Sequence, residues 1–572
     1  MVSRLSNLFM VFLLLLMVLA PNLIWWYRAG WSEAGEVGLL PSLLFVFFVL
    51  AMAPRIWMAA CFLLPFVLLS PFESMYIFEY GRPSTQHIIS IISETYFSEA
   101  FSYISSKFFL IFFFCSGSFA LSVAFVCYMR RGNLELPFRI RIILGAGGFM
   151  AIALVACAEV WFMPFDVARA KALGSGELFV ERRSSPAAEI FQDSYPIGVP
   201  LRLRKFYSEK KIMLSLAEEV KSFRFGAVQQ PVRPQREVYV LVIGETGRPD
   251  RWQINGYSRR TNPELSQKAN VISFRNMTTP WAWTSMSVPA ILTRKPADDS
   301  RFFFPERSLI SAFHEAGFHT YWLSTQSPTG EHDSSISLHA HEADFVRFLN
   351  PADYKSSGIY DGVLLKALAD VLRMNEKKQL IVLHTLGGHF NYADRYPPEF
   401  EYFRPALKSG ISVGVSNFDE VNNAYDNSIL YLDHVLSNII EQLRQEGVVG
   451  SMLYVADHGE NLYDGNCHDL GHGYNTIFDF RVASIWWATE EFRKAYPEFL
   501  VEAKKHINSP LATYNIFYSM LSLAGIKIPK EDHGKNIFSS EWRAYSRPTQ
   551  AGVDFDNSVE EGACRILKPI RR

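Results

Sequence analysis

Five apolar runs crowd the first 165 residues of this 572-residue chain, at 8–27, 38–53, 56–72, 108–129 and 142–163. A bilayer span needs about 20 largely apolar residues, within a range of roughly 17–25. In lipid, a helix satisfies all its backbone polar groups internally, so runs of this kind commit the amino-terminal part to a helical bundle. The second and third runs are short and separated only by Pro54-Arg55, which predicts a tight helical hairpin. The first run reads as a span and not as a cleaved leader, because four more follow and no small-residue cleavage site stands after it.

Basic residues set the orientation. Arg4, Arg55, Arg130, Arg131, Arg139 and Arg141 fall on one side of the expected spans, while Arg28, Arg82 and Lys107 fall on the other. The richer side is expected to be cytoplasmic, so an odd number of spans predicts that everything after residue 163 is exported. With 56 basic against 57 acidic residues, the charge balance offers nucleic acid nothing. Cys61, Cys115, Cys127 and Cys157 lie in the expected spans, where a thiol is a small apolar group. Cys467 and Cys564 lie in the exported part and could pair in an oxidising compartment, though sequence alone leaves open whether they meet.

Three regions are therefore expected. Residues 1–165 form a membrane domain, with an amphipathic surface helix at about 73–107 between the third and fourth spans. Residues 166–235 form a bridge with helical spacing at 168–173 and 212–224. It ends in Gln229-Gln230-Pro231-Val232-Arg233-Pro234-Gln235, whose prolines resist helix and central strand. Residues 236–572 form an exported domain. Strands are expected at 238–243, 319–323, 380–384, 451–456 and 482–487, and helices at 308–316, 426–446 and 512–524. That alternation predicts an α/β domain with a mainly parallel sheet covered by helices.

In open α/β sheets, ligands sit outside the carboxyl ends of the strands. Three expected strands end on ligand-type residues: Val240-Leu241-Val242-Ile243-Gly244 runs into Glu245, Leu380-Ile381-Val382-Leu383 into His384, and Ser451-Met452-Leu453-Tyr454-Val455-Ala456 into Asp457-His458-Gly459-Glu460. Carboxylates with imidazole suit Zn²⁺, with Mn²⁺ the second choice, better than Ca²⁺. The segment Trp281-Ala282-Trp283-Thr284-Ser285-Met286-Ser287-Val288-Pro289 offers three hydroxyls before a helix-like stretch, where a metal could activate one as a nucleophile. His389 beside Gly387-Gly388, with His468 and His472 after Asp457-His458, could hold phosphoryl oxygens or protonate a leaving group.

Several motifs in order resemble one family, the bacterial phosphoethanolamine transferases of the alkaline phosphatase/sulfatase superfamily, which include lipid A modifiers. They are Glu245-Thr246-Gly247-Arg248-Pro249-Asp250, Asn255-Gly256-Tyr257-Ser258-Arg259-Arg260-Thr261-Asn262-Pro263, Thr284-Ser285-Met286-Ser287-Val288-Pro289, Gly387-Gly388-His389, Asn423-Ala424-Tyr425-Asp426-Asn427 and Asp457-His458-Gly459-Glu460. The resemblance covers nearly the whole chain, the five spans included. It implies a sulfatase-like exported domain in the periplasm of a Gram-negative cell, anchored in the inner membrane. It implies one tightly bound zinc held by Glu245, Thr284, Asp457 and His458, with a second ion left open. Thr284 would be the nucleophile, taking phosphoethanolamine from phosphatidylethanolamine, and His389 and His472 would contact the phosphate, with His468 nearby. Thr95 and Glu99 match family positions near the donor's ethanolamine. The acceptor would be a lipopolysaccharide component, a lipid A phosphate or a core sugar. Trp281 and Ala290 stand near where lipid A modifiers of this family carry cysteines, which leaves other envelope glycans open. The alternatives are a phosphoglycerol transferase, a phosphodiesterase or sulfatase on the same fold, and an inactive membrane scaffold. Thr284 lacks the Cys/Ser-x-Pro-x-Arg setting of sulfatases.

Overall fold

The computed structural model describes residues 2–29, 38–80, 83–84, 89, 108–132, 135, 137–161, 186–299, 304–326, 334–350, 359–408 and 413–570. The chain divides into two compact units, Met1–Lys210 and Lys211–Arg572. Thr95, Glu99 and the stretch 168–173 lie outside the described residues.

The first unit is helical: α1 (Val2–Ala29), α2 (Leu39–Met52), α3 (Ile56–Tyr80), α4 (Phe108–Gly132), α5 (Phe138–Trp161), α6 (Pro186–Asp193) and the start of α7 (Gly198–Val220). Among the described residues, three helices are long and apolar enough to cross a membrane, at Phe9–Arg28, Ile56–Phe78 and Phe112–Gly132. Five spans were expected, so the count is met in part. The 14 residues of α2 reach about 21 Å, short of a hydrocarbon core of about 30 Å. The fifth expected run is helical in α5.

α3 continues to Tyr80, past the expected end at residue 72, so the surface segment does not begin at Glu73. The reason is a tertiary pairing. Glu73 is buried, paired with Arg202 at 2.9 Å, and accepts bonds from the Ser84 amide and hydroxyl at 3.0 and 2.7 Å. A charge compensated in this way does not have to leave the bundle. Leu14, Val18, Val46, Leu63, Val67 and Phe125 pack the interior, and Asn22 of α1 donates to Ser42 Oγ of α2 at 3.0 Å. Phe9, Phe12, Phe62, Phe113 and Phe114 point outward, an arrangement suited to lipid and unsuited to water.

The second unit is built on a seven-stranded sheet: β1 (Glu237–Gly244), β2 (Ile272–Ser273), β3 (His319–Ser324), β4 (Phe345–Phe348), β5 (Lys378–His384), β6 (Val449–Ala456) and β7 (Ser484–Ala488). The spatial order is β2-β7-β6-β1-β5-β3-β4. The run from β6 to β4 is parallel, whereas β7 lies antiparallel to β6 and β2 antiparallel to β7. The sheet is therefore mixed, with four of its six strand pairings parallel, so the expectation of a mainly parallel sheet is met in part. A parallel return needs a long crossover, usually a helix. Between β6 and β7 the chain carries loops, three two-residue strands and the short helix Ile477–Phe480, with no crossover helix, so it turns back at the rim it left.

Every residue of β1 and β6 is buried, as expected of apolar strands covered on both faces. The covering helices include α8 (Thr284–Leu292), α9 (Leu309–Glu315), α10 (Val363–Arg373), α11 (Phe418–Glu446) and α12 (Asn515–Leu523). α11 begins well before the expected residue 426. Asn422 and Asn423, weak helix formers, find tertiary partners there: their amides donate to Leu462 O at 3.0 Å and Pro405 O at 2.7 Å. Register then sets up the rim. Ile243 stands opposite both His384 and Val455, and Ser324 stands opposite His384. β1, β3, β5 and β6 thus end level, and Glu245, Gln326, Thr385 and Asp457 leave the sheet together.

Candidate metal centre

Glu245 follows β1, Asp457 and His458 follow β6, and Thr284 opens α8 after an extended Trp283. Thr284 Oγ1 lies 3.2 Å from His458 Nε2 and 3.3 Å from Glu245 Oε2. His458 Nδ1 donates to the Gly459 carbonyl at 2.9 Å, which leaves Nε2 to face the carboxylates. Each carboxylate has one oxygen held and one orphaned. Asp457 Oδ1 accepts from the amides of Thr246 at 3.1 Å and His458 at 2.7 Å. Glu245 Oε2 accepts from Gln326 Nε2 at 2.9 Å and from the Thr284 hydroxyl. The other two oxygens, Glu245 Oε1 and Asp457 Oδ2, are buried with no hydrogen-bond partner and lie 3.3 and 3.4 Å from His458 Nε2.

Sealed carboxylate oxygens without a hydrogen bond are expensive unless a cation meets them. Ligand atoms about 2.0–2.2 Å from a tetrahedral zinc stand about 3.3–3.6 Å apart, which is the spacing seen here. Glu245, Asp457 and His458 each bring a ligand atom within 4.8 Å of the others. The residues fit a zinc-type ion. Electrostatics agree. Burial, then Glu245 beside it, pushes the Asp457 carboxyl above the ordinary range. Burial opposes charge on His458, yet Asp457 and Glu245 hold its imidazole well above the usual value. The pocket carries more negative charge than its own side chains neutralise.

A second group adjoins the first. His458, Glu460 and His472 also bring ligand atoms within 4.8 Å of one another. The two imidazole rings lie 4.2 Å apart, and His472 Nδ1 is 3.4 Å from Glu460 Oε2. Trp283, just before the hydroxyl, meets the His472 ring edge-on at 5.2 Å. Burial pushes Glu460 up to about 7. His389 feels His472 and Glu460 and is pushed down to about 4, by burial first and then by Arg395. Its loop is pinned by Asp361, which accepts from the Leu386 and Gly387 amides at 3.0 and 2.8 Å. Arg248 supports Glu460 from behind, donating to its carbonyl at 3.1 Å while pairing with Asp250 and Asp464. Gly459 is required by space: a Cβ there would sit 1.9 Å from Phe478 O.

The structure thus brings Glu245, Thr284, Asp457 and His458 together, with His472 against His458 and His389 within electrostatic reach of His472 and Glu460. His384 does not join them. It is buried edge-on against Trp322 at 5.4 Å, and burial pushes it down to about 3, so it is a neutral core histidine. The pleat turns its side chain into the sheet's packed face instead of the rim. His468 is exposed beside Cys467 and belongs to neither ligand group among the described residues. Ser287 donates to Trp281 O at 2.7 Å and serves the turn. Cys467 and Cys564 form a disulfide. Glu460 and Gln326 were missed as site residues. Glu460 shares a motif with His458, two positions on, which could have flagged it; Gln326 carries no such signal.

The family model described as Sulfatase matches residues 237–526, just over half of the chain, and the chain belongs to that family. Within it, the relatives carry the expected name. The chain is 24% identical over 487 residues to "Phosphoethanolamine transferase EptC" of Escherichia coli K12, covering 82% of this chain and 80% of that one. It is 29% identical over 286 residues to "Kdo(2)-lipid A phosphoethanolamine 7''-transferase" of the same strain, covering 49% and 48%. The crystal structure of the C-terminal periplasmic domain of EptC from E. coli in complex with Zn shares the fold, with a TM-score of 0.51 at 24% identity, covering 58% of this chain and 95% of that one.

Proposed function

We propose that this chain is an inner-membrane, zinc-dependent enzyme that transfers phosphoethanolamine from phosphatidylethanolamine to a lipopolysaccharide component. The observation that carries the reading is the pair of orphaned oxygens, Glu245 Oε1 and Asp457 Oδ2, facing His458 Nε2 beside the Thr284 hydroxyl. The names of the relatives support the transferred group, and a zinc complex of one of them supports the ion. The membrane domain would have five spans within residues 1–165, followed by a bridge to about 235 and a periplasmic catalytic domain. Thr95 and Glu99 would meet the donor's ethanolamine.

Glu245, Thr284, Asp457 and His458 would hold the ion. Zinc bound there would lower the pKa of the threonine hydroxyl and offset charge on phosphoryl oxygens. Thr284 Oγ1 attacks the phosphorus of the donor and gives up its proton. The phosphorus–oxygen bond to diacylglycerol breaks, and diacylglycerol leaves carrying a proton. An acceptor hydroxyl oxygen, or an acid phosphate oxygen, then attacks the phosphothreonine, the bond from phosphorus to Thr284 Oγ1 breaks, and the acceptor's proton restores the threonine hydroxyl. Splitting the reaction lets one site serve two bulky lipids in turn. The start of α8 would turn the amino-terminal end of a helix dipole toward the phosphoryl group, and His389 and His472 would bind its oxygens.

The test is intact-mass measurement of purified protein after exposure to phosphatidylethanolamine or phosphatidylglycerol. A phosphoethanolamine adduct is expected with the first lipid. An adduct with phosphatidylglycerol alone would make the enzyme a phosphoglycerol transferase, and no adduct with either lipid would leave a hydrolase or a scaffold.

A further inference from the structure

We infer that Gln326 is a positioning residue for the metal centre, deciding which oxygen of Glu245 is offered to the ion. This rests on the zinc reading above. Gln326 lies two residues beyond the end of β3, level with the ends of β5 and β1. Its Nε2 donates to Glu245 Oε2 at 2.9 Å and to Thr385 O at 3.0 Å, so one amide joins the metal-side carboxylate to the backbone just after β5. The Gln326 amide nitrogen in turn donates to Ser324 Oγ at 3.0 Å, fixing the turn that carries the side chain.

The consequence for Glu245 is geometric. A carboxylate at the end of a strand can rotate and present either oxygen. Here Oε2 is held by Gln326 and Thr284, while Oε1 is sealed without a hydrogen bond, 3.3 Å from His458 Nε2. Asp457 is treated likewise by backbone, with the Thr246 and His458 amides on Oδ1 and none on Oδ2. For Asp457 the fold supplies the donors through the main chain. For Glu245 the amide donor is a side chain and can be removed. Hydrogen bonds behind a ligand orient it and tune its basicity, and losing one typically weakens metal binding by about 10–100-fold.

The experiment uses full-length protein in detergent, stripped of metal and titrated with Zn²⁺ against a fluorescent chelator. Gln326→Leu keeps the bulk and deletes the donor; Gln326→Glu keeps the length and sets a second carboxylate against Glu245. Both are expected to bind zinc about 10–100-fold more weakly than the parent chain. The rise in melting temperature on adding zinc should also shrink. That difference separates metal binding from any loss of baseline stability through the Thr385 contact. If either variant fails to fold, Gln326→Asn, too short to reach Glu245, takes its place with the same expectation. Zinc affinity within twofold of the parent, with an unchanged zinc-induced shift, would overturn the inference and leave the zinc reading standing. A parent chain that binds no zinc would instead overturn the reading on which it rests.

Discussion

Thr284 is the residue on which the proposed chemistry turns, because its hydroxyl touches both Glu245 and His458. Thr284→Ala should form no phosphoethanolamine adduct by intact mass and should transfer at least on the order of 10³-fold more slowly in a lipid assay. Its fold should be kept, since Ser287 and not Thr284 bonds the turn that starts α8. Arg248 lies at the opposite extreme, buried and bonded to Asp250, Asp464 and the Glu460 carbonyl, with its guanidinium over the Phe478 ring at 4.2 Å. Arg248→Ala takes the guanidinium from Asp250 and Asp464, leaving Asp464 the more distant Arg251 at 3.9 Å, and should cost about 3 kcal/mol in denaturant unfolding. The two substitutions separate chemistry from support.

At the scale of elements, the strands were plain in the sequence because each of β1, β5 and β6 is an apolar run buried on both faces, a pattern that needs no knowledge of neighbours. Helix ends were less plain. The start of α11 depends on bonds from Asn422 and Asn423 to loops remote in sequence, which propensity does not register. Its end is local: Gly447 takes φ +60 with open space around its Cβ direction. Gly447→Ala should therefore cost only the backbone term, about 1 kcal/mol, measurable as a small fall in melting temperature. The Cys467–Cys564 bridge closes a loop spanning 97 residues near the second ligand group. Replacing both cysteines with serine should lower stability by about 2–5 kcal/mol, read by unfolding with and without reductant.

For the molecule as a whole, the prediction concerns the ion. Stripping metal with a chelator should abolish transfer and lower the melting temperature, and added Zn²⁺ should restore both, because a ligand that binds only the folded state stabilises it by mass action. Unaltered melting after complete metal removal would count against a site built to meet a cation. The membrane unit makes its own demand: with outward-facing phenylalanines on α1, α3 and α4, the chain should stay with membranes after high-salt washing and leave only in detergent.

Taken alone, the order of residues determined the apolar amino-terminal part and the strand–helix alternation of the rest, and offered Glu245, Thr284, Asp457, His458, His389 and His472 as candidates. Those are properties of short segments: hydropathy, period and the kind of atom a side chain offers. The tertiary structure decided what depends on distance. It brought Thr284 against His458 across 174 residues, turned His384 into the core, added Glu460 and Gln326 to the site, paired Cys467 with Cys564, and made the sheet mixed. Strand order and register fix which side chains meet, and neither is a property of any one segment.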